Sequence, residues 1–325
     1  MDPSMPHMSS ARWMWMPTDP PTLMRMLAWH PQPVPVLLVA ALVAGALYVW
    51  GVVRLRSTGH AWSWGSVISF LAGIASLIMF TATGLNGYGM ALFSVHMVQH
   101  MVLTMVTPIL LLIGRPVTLA LRTLPSASGA RHAVVWLLRS RLARLLTSIW
   151  FTLPMFLFTL YGLYFIAPLF DGLMNNWFGH EFMLAHFVLT GLFLFWPILG
   201  LDPSPHQQPA PLRFVETLLP MPFHAFFGIT VMEASVLLVK TFAHPPVDWG
   251  INPVADQQMG GGLAWGFSEV PSLFLTLLLG FVWARESGRE ARRVDRSEVR
   301  TDDSQLNAYN AWLASINAHD QQTGH

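Results

Sequence analysis

Long apolar runs dominate the pattern of this chain, and its polar residues gather in short segments between them. The runs are continuous and do not alternate between apolar and polar positions, so they predict helices and not strands. Each run is close to or above the roughly 20 residues that a helix needs to cross a hydrocarbon core. The predicted spans are residues 34–53, 64–83, 90–113, 149–168, 180–200, 217–242 and 263–284.

The fold class that follows is all-α, an integral membrane protein built as a seven-transmembrane helix bundle. Residues 1–33 are predicted to form a Met- and His-rich tail, residues 34–284 the membrane domain, and residues 285–325 a charged and polar tail. The chain opens with an acidic residue at position 2 and no basic region before an apolar core, unlike a secretory signal peptide. We therefore expect the first run to be a retained membrane anchor.

Along the chain, loops that carry basic residues alternate with loops that carry none. Arginines follow the first, third, fifth and seventh spans, whereas loops 84–89, 169–179 and 243–262 contain no Lys or Arg. Because Lys and Arg stay on the cytoplasmic side, this pattern predicts the N-terminus outside and the C-terminus in the cytoplasm. In the longest basic loop, residues 131–148 place apolar residues on one helical face, which is typical of an interface helix or of a connector between spans.

Composition narrows the chemistry that the chain can perform. The chain has 325 residues, of which 53% are hydrophobic and 11% charged, and it contains no cysteine. Disulfides and thiolate metal sites are thereby excluded, so a metal site has to use histidine, methionine or carboxylates. The sequence holds no glycine loop for nucleotides. Its basic loops are explained by topology, so we expect no nucleic-acid partner.

The stretch HMVQHM at residues 96–101 carries the most specific chemical signal. His96 and His100 share one helical face, one turn apart. This is the spacing at which one helix supplies two ligands to a metal ion. Met97 and Met101 form a second stripe beside the histidines, where methionine either packs or binds metal. The stretch is therefore the candidate metal site.

Histidines and carboxylates on other spans extend the list of candidates. His186 in the fifth span is expected at a depth similar to that of the pair, with His180 nearer the outer surface. His224 in the sixth span is expected to be a further ligand or a hydrogen bond between helices. Glu233, near the middle of the sixth predicted span, and Glu269, in the outer third of the seventh, are ionisable groups inside the membrane. Such groups are either functional or bonded to a neighbouring helix.

The donor types point to copper(I). Imidazole suits copper, zinc, iron and nickel, whereas thioether favours copper(I). Donors in the N-terminal tail either capture copper(I) outside the membrane or belong to a flexible leader: Met5, His7, Met8, Met14, Met16, Met24 and Met26. Since neutral histidine is the ligating form, copper loading should weaken below about pH 6.

Four ordered blocks of the chain resemble one known family. They are FSVHMVQHMVLTMVTPILLLIGRPVTLALR at 93–122, GHEFMLAHFVLTGLFLFWPILGLDPSP at 179–205, LPMPFHAFFGITVM at 219–232 and DWGINPVADQQMGGGLAWGFSEV at 248–270. Together they look like the multi-span CtaG family of cytochrome c oxidase assembly factors, the seven-helix kind associated with caa-type oxidases. The resemblance covers most of the chain from about residue 60 to residue 285.

The resemblance implies roles for particular residues. The family's histidine pair falls on His96 and His100, and its helix-five histidine falls on His186, with His180 a looser match. Its two remaining blocks fall on Pro222, His224, Gly228, Asp256, Gln257, Gly260 and Gly261. The family's usual double proline reads TPI at residues 107–109, a departure that does not touch the histidines.

The function that the resemblance implies is maturation of a haem–copper oxidase in a bacterial inner membrane, by delivering or holding copper and not by enzyme catalysis. The partners implied are cytochrome c oxidase subunits, a copper chaperone and the lipid bilayer. Two alternatives stay open. One is a haem-binding membrane electron carrier, with axial histidines from separate helices. The other is an intramembrane metallohydrolase that uses a zinc-bound water, with Glu233 or Glu269 as its base.

Overall fold

The computed structural model describes residues 14–205 and 209–323, and all regular secondary structure in these ranges is helical. The chain divides into two compact units, Met1–Thr276 and Leu277–His325. The elements of the first half are α1 (Leu23–Leu27), α2 (Val36–Ser57), α3 (Trp64–Ala82), α4 (Gly84–Ala91), α5 (Phe93–Met101), a π-helical turn (Val102–Val106), α6 (Thr107–Ile113), α7 (Pro116–Thr123), α8 (Gly129–Arg139) and α9 (Arg141–Leu146).

The second half continues as helices joined by short connections. Its elements are α10 (Ile149–Leu157), a π-helical turn (Phe158–Gly162), α11 (Leu163–Phe165), α12 (Ala167–Met174), α13 (Trp177–Leu199), α14 (Ala210–Leu218), α15 (Pro220–Met232), two 3₁₀ turns (Lys240–Phe242 and Val247–Trp249) and α16 (Pro253–Thr323).

Six helical segments among the described residues are long and apolar enough to cross a membrane. They are Val36–Ser57, Trp64–Ala82, Phe93–Thr123, Trp177–Leu199, Pro211–Met232 and Pro253–Phe281. A seventh is obtained if the pair Ile149–Phe165 and Ala167–Met174, which meet at 89°, is one broken span. The prediction of an all-helical chain is therefore confirmed, and it has six or seven candidate membrane spans.

Three predicted boundaries need correction. The fourth predicted span, 149–168, is sharply bent, because the helix breaks at Ile166 and restarts with Pro168 in its first turn. The sixth, 217–242, ends at Met232, so Glu233 lies exposed at the helix end and not in the middle of a span. The seventh begins at Pro253, upstream of the predicted residue 263, so the glycines at 260–262 lie inside the helix.

The third span lies at the centre of the first unit. In the most apolar stretch of this span 72% of the residues are buried, whereas in the most apolar stretch of α2 only 28% are buried. α6 packs against both α3 and α13, and α13 also packs against the π-helical turn that follows α5. Residues of α5 are therefore shielded from lipid by the surrounding helices.

The two ends of the bundle differ in how they are closed. At the end that holds α7, the chain breaks at Arg115, whose φ of 53° is in the left-handed region. Asp202 then caps α7, because its carboxylate accepts from the backbone N–H groups of Val117 at 3.0 Å and Thr118 at 2.9 Å. A carboxylate at a helix N-terminus satisfies unpaired donors and complements the helix dipole. We refer to this as the α7 end.

The opposite end, the α4 end, is covered by residues 14–33. Trp249 donates from Nε1 to the Thr18 carbonyl at 3.1 Å, and Tyr88 donates from its hydroxyl to the Asp19 carbonyl at 3.0 Å. Burial raises the pKa of the Tyr88 hydroxyl above its ordinary value, so it stays a donor at neutral pH. Residues 14–33 are thus packed on the bundle and do not form a free leader, whereas Met5, His7 and Met8 lie outside the described residues.

Basic residues 131–148 form the short helices α8 and α9, which meet at Ser140. The Ser140 hydroxyl caps α9 by accepting from the Ala143 N–H at 2.9 Å. α8 has no buried residue, and its Trp136 is 72% exposed. Both predicted roles, interface helix and connector, are compatible with this arrangement.

α15 and α16 cross at a point where glycine faces glycine. A Cβ added to Gly261 would lie 2.5 Å from the Met232 nitrogen and 2.8 Å from the Gly228 carbonyl oxygen. Both distances are too short for real contacts, so the two backbones can approach this closely only without side chains. Small residues at such crossings are typical of helix pairs inside membranes.

We predict opposite effects for two glycine-to-alanine changes in α16. Gly261→Ala should lower the thermal unfolding temperature in detergent, because backbone atoms of α15 cannot move away from the new methyl group. Gly266→Ala, which meets nothing within 4 Å, should leave this temperature unchanged or raise it, because alanine favours helix. Equal thermal unfolding temperatures of the two variants would contradict the close crossing of α15 and α16.

Candidate histidine–methionine site

α5 places the predicted metal ligands in the interior of the first unit. His96, Met97 and Met101 are fully buried, and His100 is 1% exposed. Directly after Met101 the helix widens into the π-helical turn, in which the Thr107 N–H donates to the carbonyl of Val102, five residues back. Such turns are frequent at functional sites and shift the register of the side chains beyond them.

His96 lies in a chamber of aromatic rings. Its Nε2 atom is 3.0 Å from the hydroxyl oxygen of Tyr164 on α11. The ring centroids of Phe170, Phe187 and Phe242 lie 5.3, 6.0 and 5.7 Å from that of His96. The other ring nitrogen, Nδ1, has no hydrogen-bond partner of normal geometry. One nitrogen of His96 is therefore oriented by a bond, whereas Nδ1 makes no hydrogen bond of normal geometry, with the Gly89 backbone as its neighbour.

His100 shares two walls of this chamber. Its ring centroid lies 4.4 Å from that of Phe187, edge to face, and 5.6 Å from that of Tyr164. Its Nδ1 atom also lacks a hydrogen-bond partner. A buried polar atom without a partner costs about 1–3 kcal/mol, so two such atoms on adjacent turns of one helix call for an explanation.

His180 and His224 lie buried on α13 and α15, and each is 1% exposed. Nε2 of His180 and both ring nitrogens of His224 have no hydrogen-bond partner. His180 lies within electrostatic range of His96, and both His224 and His186 lie within range of His100. The pair on α5 is thus the centre of a wider group of buried imidazoles.

His186 has a different environment from the other four histidines. Its Nε2 atom is 2.7 Å from the hydroxyl oxygen of Thr159, and its ring stacks at 6.3 Å on that of Phe182, which is 56% exposed. Among the described residues, no three or more His, Asp and Glu side chains are placed so that they could hold one metal ion. The structure therefore brings His96 and His100 together but does not add His186 as a preformed third ligand.

Asp256 of α16 positions the first turn of α5. Its Oδ2 atom accepts from the backbone N–H of Phe93 at 2.6 Å and of Ser94 at 3.3 Å, and its Oδ1 atom accepts from the Ser94 hydroxyl. Gly260, one turn later, lets α16 approach, because a Cβ there would lie 2.5 Å from the Phe93 ring. His96 follows directly on the turn that Asp256 caps.

The two glutamines beside Asp256 hold the segment that follows α15. Gln257 donates to the Val236 carbonyl at 3.0 Å and accepts from the Leu238 N–H at 2.8 Å. Gln258 donates to the Ala234 carbonyl at 3.2 Å. These amides satisfy backbone groups that no helix pairs in the irregular segment after α15.

Sequence reasoning missed the partners of the histidine pair. Tyr164 is fully buried in an apolar run, and a buried tyrosine hydroxyl normally has a partner, which is the signal that could have pointed to it. Gln99, between the two histidines, donates to the Phe80 carbonyl at 2.7 Å and to the Asn86 side chain at 3.1 Å. Glu181, next to His180, is 8% exposed, with one carboxylate oxygen unpartnered.

Comparison with known proteins identifies the family. The sequence profile of the cytochrome c oxidase caa3 assembly factor family, Caa3_CtaG, matches residues 46–286. The chain belongs to this family. The matched range contains the histidine pair, Tyr164 and Asp256, so the chamber is part of the caa3 assembly factor region.

Relatives of this Caa3_CtaG chain are found in mycobacteria. An uncharacterized protein of Mycobacterium bovis is 39% identical over 306 residues, which are 92% of this chain and 46% of the relative. An uncharacterized protein of Mycobacterium leprae is 40% identical over 283 residues, which are 85% of this chain and 43% of the relative. The chain thus spans less than half the length of these relatives. No solved structure gives a significant match.

We predict that the Asp256 carboxylate stabilises the caa3 assembly factor region through α5. Asp256→Ala should lower the free energy of unfolding by about 1–3 kcal/mol, because two backbone N–H groups and one hydroxyl lose their buried acceptor. Thermal unfolding of the purified protein in detergent measures this. The matched control is Gln258→Ala, which removes one hydrogen bond on the same helix. A melting temperature of Asp256→Ala at or above that of the control would contradict the role of Asp256.

Proposed function

We propose that this chain assists the assembly of a haem–copper cytochrome c oxidase by holding copper(I) in the aromatic chamber of α5. The ligands are Nδ1 of His96, Nδ1 of His100 and a thioether of Met97 or Met101. The observation that carries the proposal is the pair of buried imidazoles, each with an Nδ1 that makes no hydrogen bond of normal geometry, on adjacent turns of one helix. Copper is the cargo of this activity and not a resident catalytic group.

The bond between His96 and Tyr164 supports a ligand role for His96. If Nε2–H of His96 donates to the Tyr164 hydroxyl oxygen, the lone pair of neutral imidazole remains on Nδ1. Ligating histidines commonly donate their second nitrogen to a neighbouring group, which fixes the ring and its tautomer. Tyr164 is therefore a positioning residue in this proposal.

Copper(I) fits this donor set better than zinc. Zinc takes four ligands in structural sites and at least three protein ligands in catalytic ones, and the described residues offer no group of three His, Asp or Glu side chains. Thioethers favour copper(I), and the apolar walls suit a singly charged ion better than a doubly charged one. Moderately weak binding by imidazole and thioether also allows the ion to be passed on.

The remaining histidines have separate roles in this proposal. His180, which lies nearer the α4 end on α13, would receive the ion before His96, and His224 would interact with His100 from the opposite side. His186 would join the ligand set only after exchanging its bond to Thr159. Glu233, one of the two candidate general bases for an intramembrane metallohydrolase, lies exposed at the end of α15 and is therefore a poor candidate. We therefore propose a role without catalysis.

The topology predicted from the arginines completes the proposal. With seven spans, including the bent one, the N-terminus lies outside and the C-terminus in the cytoplasm of a bacterial cell, with the protein in the inner membrane. The α4 end, nearest His180, then faces outside, where copper(I) would arrive from a chaperone or from the methionines Met14, Met16, Met24 and Met26. Cytochrome c oxidase subunits would take the ion from the chamber.

We predict about one copper(I) ion per chain in purified protein under reducing conditions, and its loss in a His96→Ala, His100→Ala variant, which removes both ligands. Metal analysis after desalting measures this. The control is His60→Ala, His132→Ala, which changes two exposed histidines and should keep the ion. Full copper binding by the His96→Ala, His100→Ala variant would contradict the assignment of the site. A haem absorption spectrum from protein without copper would favour the electron-carrier alternative.

A second prediction concerns Tyr164. Tyr164→Phe should weaken copper(I) binding about tenfold or more, because loss of a partner that orients a ligating histidine typically costs 10–100-fold in affinity. Competition with a chromophoric copper(I) chelator measures the affinity. Tyr161→Phe is the matched control, since the Tyr161 hydroxyl donates to the Phe223 carbonyl and not to a histidine. Equal affinities of the two variants would argue against the positioning role.

A further inference from the structure

A groove between α2, α3 and α7 lies apart from the histidine chamber. It has a volume of about 330 Å³, within the range of small-molecule sites. Two residues on its rim, Leu47 and Trp50, are 62% and 48% exposed, so the groove opens toward the surroundings of the bundle. Its walls are nearly all apolar and include Ala44, Gly51, Phe70, Pro116, Leu119 and Ala120.

The groove runs lengthwise from the membrane interior toward the α7 end. The Tyr48 hydroxyl donates to the Gly114 carbonyl at 2.7 Å, just before α7 begins. Three residues further along α2, a Cβ at Gly51 would lie 3.2 Å from the Leu119 side chain. α2 and α7 therefore run in the same direction and reach the same end of the bundle, with the groove between them.

Three arginines lie near the α7 end of α2 and α7, and one of them, Arg54, lies over Trp50, which lines the groove. Arg54 lies over the ring of Trp50 at 5.3 Å, Arg56 over Trp64 at 3.9 Å and Arg122 over Trp62 at 5.8 Å, measured to the ring centroids. Tryptophans of this kind mark the depth of lipid headgroups. Arginine and tryptophan together therefore place the mouth of the groove at the headgroup layer.

No described carboxylate lies within ion-pair distance of these three arginines. Asp202, an acidic residue at this end, is 6% exposed, and both of its oxygens accept from the first turn of α7. Among the side chains that the structure describes, no carboxylate pairs with the positive charge at this end of the groove.

We propose that the groove binds an anionic phospholipid, with one acyl chain along α2 and α7 and the phosphate on Arg54, Arg56 and Arg122. Guanidinium groups bind phosphate oxygens through paired hydrogen bonds. Basic pockets between helices on the cytoplasmic side of membrane proteins bind anionic headgroups. Phosphatidylcholine is zwitterionic, and its choline group would bring a second positive charge beside the arginines. The site should therefore prefer an anionic lipid to a zwitterionic one. This site is independent of copper binding.

The test measures lipid retention by the full chain, purified in detergent, with native mass spectrometry. Phosphatidylglycerol and phosphatidylcholine with identical acyl chains are the probes. The wild type should bind phosphatidylglycerol about tenfold more tightly or better, because each arginine near the headgroup layer adds to the attraction. An Arg54→Gln, Arg56→Gln, Arg122→Gln variant should lose this preference. Equal binding of both lipids by the wild type would overturn the proposal.

Two further sets of variants separate a built site from general charge. Arg139→Gln, Arg141→Gln, Arg144→Gln makes the same charge change on α8 and α9, where these arginines are exposed, and should keep the preference. Ala120→Trp, or Ala44→Phe if the first does not fold, places a large side chain in the groove. This variant should no longer bind phosphatidylglycerol preferentially, although the three arginines remain. Loss of preference in the α8 and α9 variant, or retention in the filled groove, would point to adsorption of the phosphate alone and reject the site.

Discussion

The contact between the Asp256 carboxylate and the start of α5 is the interaction on which the position of the histidine pair depends. An anion that accepts two backbone N–H groups at a helix N-terminus fixes both where the helix begins and how it is rotated. His96 and His100 lie one and two turns beyond that point. In a medium of low dielectric the bond is stronger than in water, and leaving it unmade is more costly.

The same arrangement occurs at two other junctions. Asp202 binds the first turn of α7 and the Thr118 hydroxyl, and Asp171 accepts from the N–H and hydroxyl of Thr241 at 2.9 and 2.6 Å. Each aspartate reaches an element distant in sequence and binds both the backbone and the hydroxyl of one Ser or Thr. Lipid provides no hydrophobic drive between spans, so such polar contacts and close packing define how the helices are arranged.

The spans could be predicted from the sequence because each depends on the hydropathy of its own residues. The end of α15 could not be predicted in this way. Residues 234–239 are apolar except for Ser235, a pattern that predicts a continuing helix, but Gln257 and Gln258 bind their backbone groups and hold them in an irregular path. The spacing of His96 and His100 was enough to place them on one face. Tyr164, the partner of His96, lies 68 residues further along the chain. It follows a π-helical turn that shifts the register of the side chains, so a local sequence pattern cannot predict this contact.

The contact of Trp249 with Thr18 joins residues 231 positions apart. During synthesis the segment that covers the α4 end emerges first, but its partner emerges only after α15 has been made. The contacts of this cover therefore become available at different stages, since Asp19 can reach Tyr88 once α4 has been made, whereas Thr18 can reach Trp249 only after α15. Final closure of the α4 end thus coincides with the synthesis of Phe242 and Asp256, the late residues that complete the chamber and hold α5.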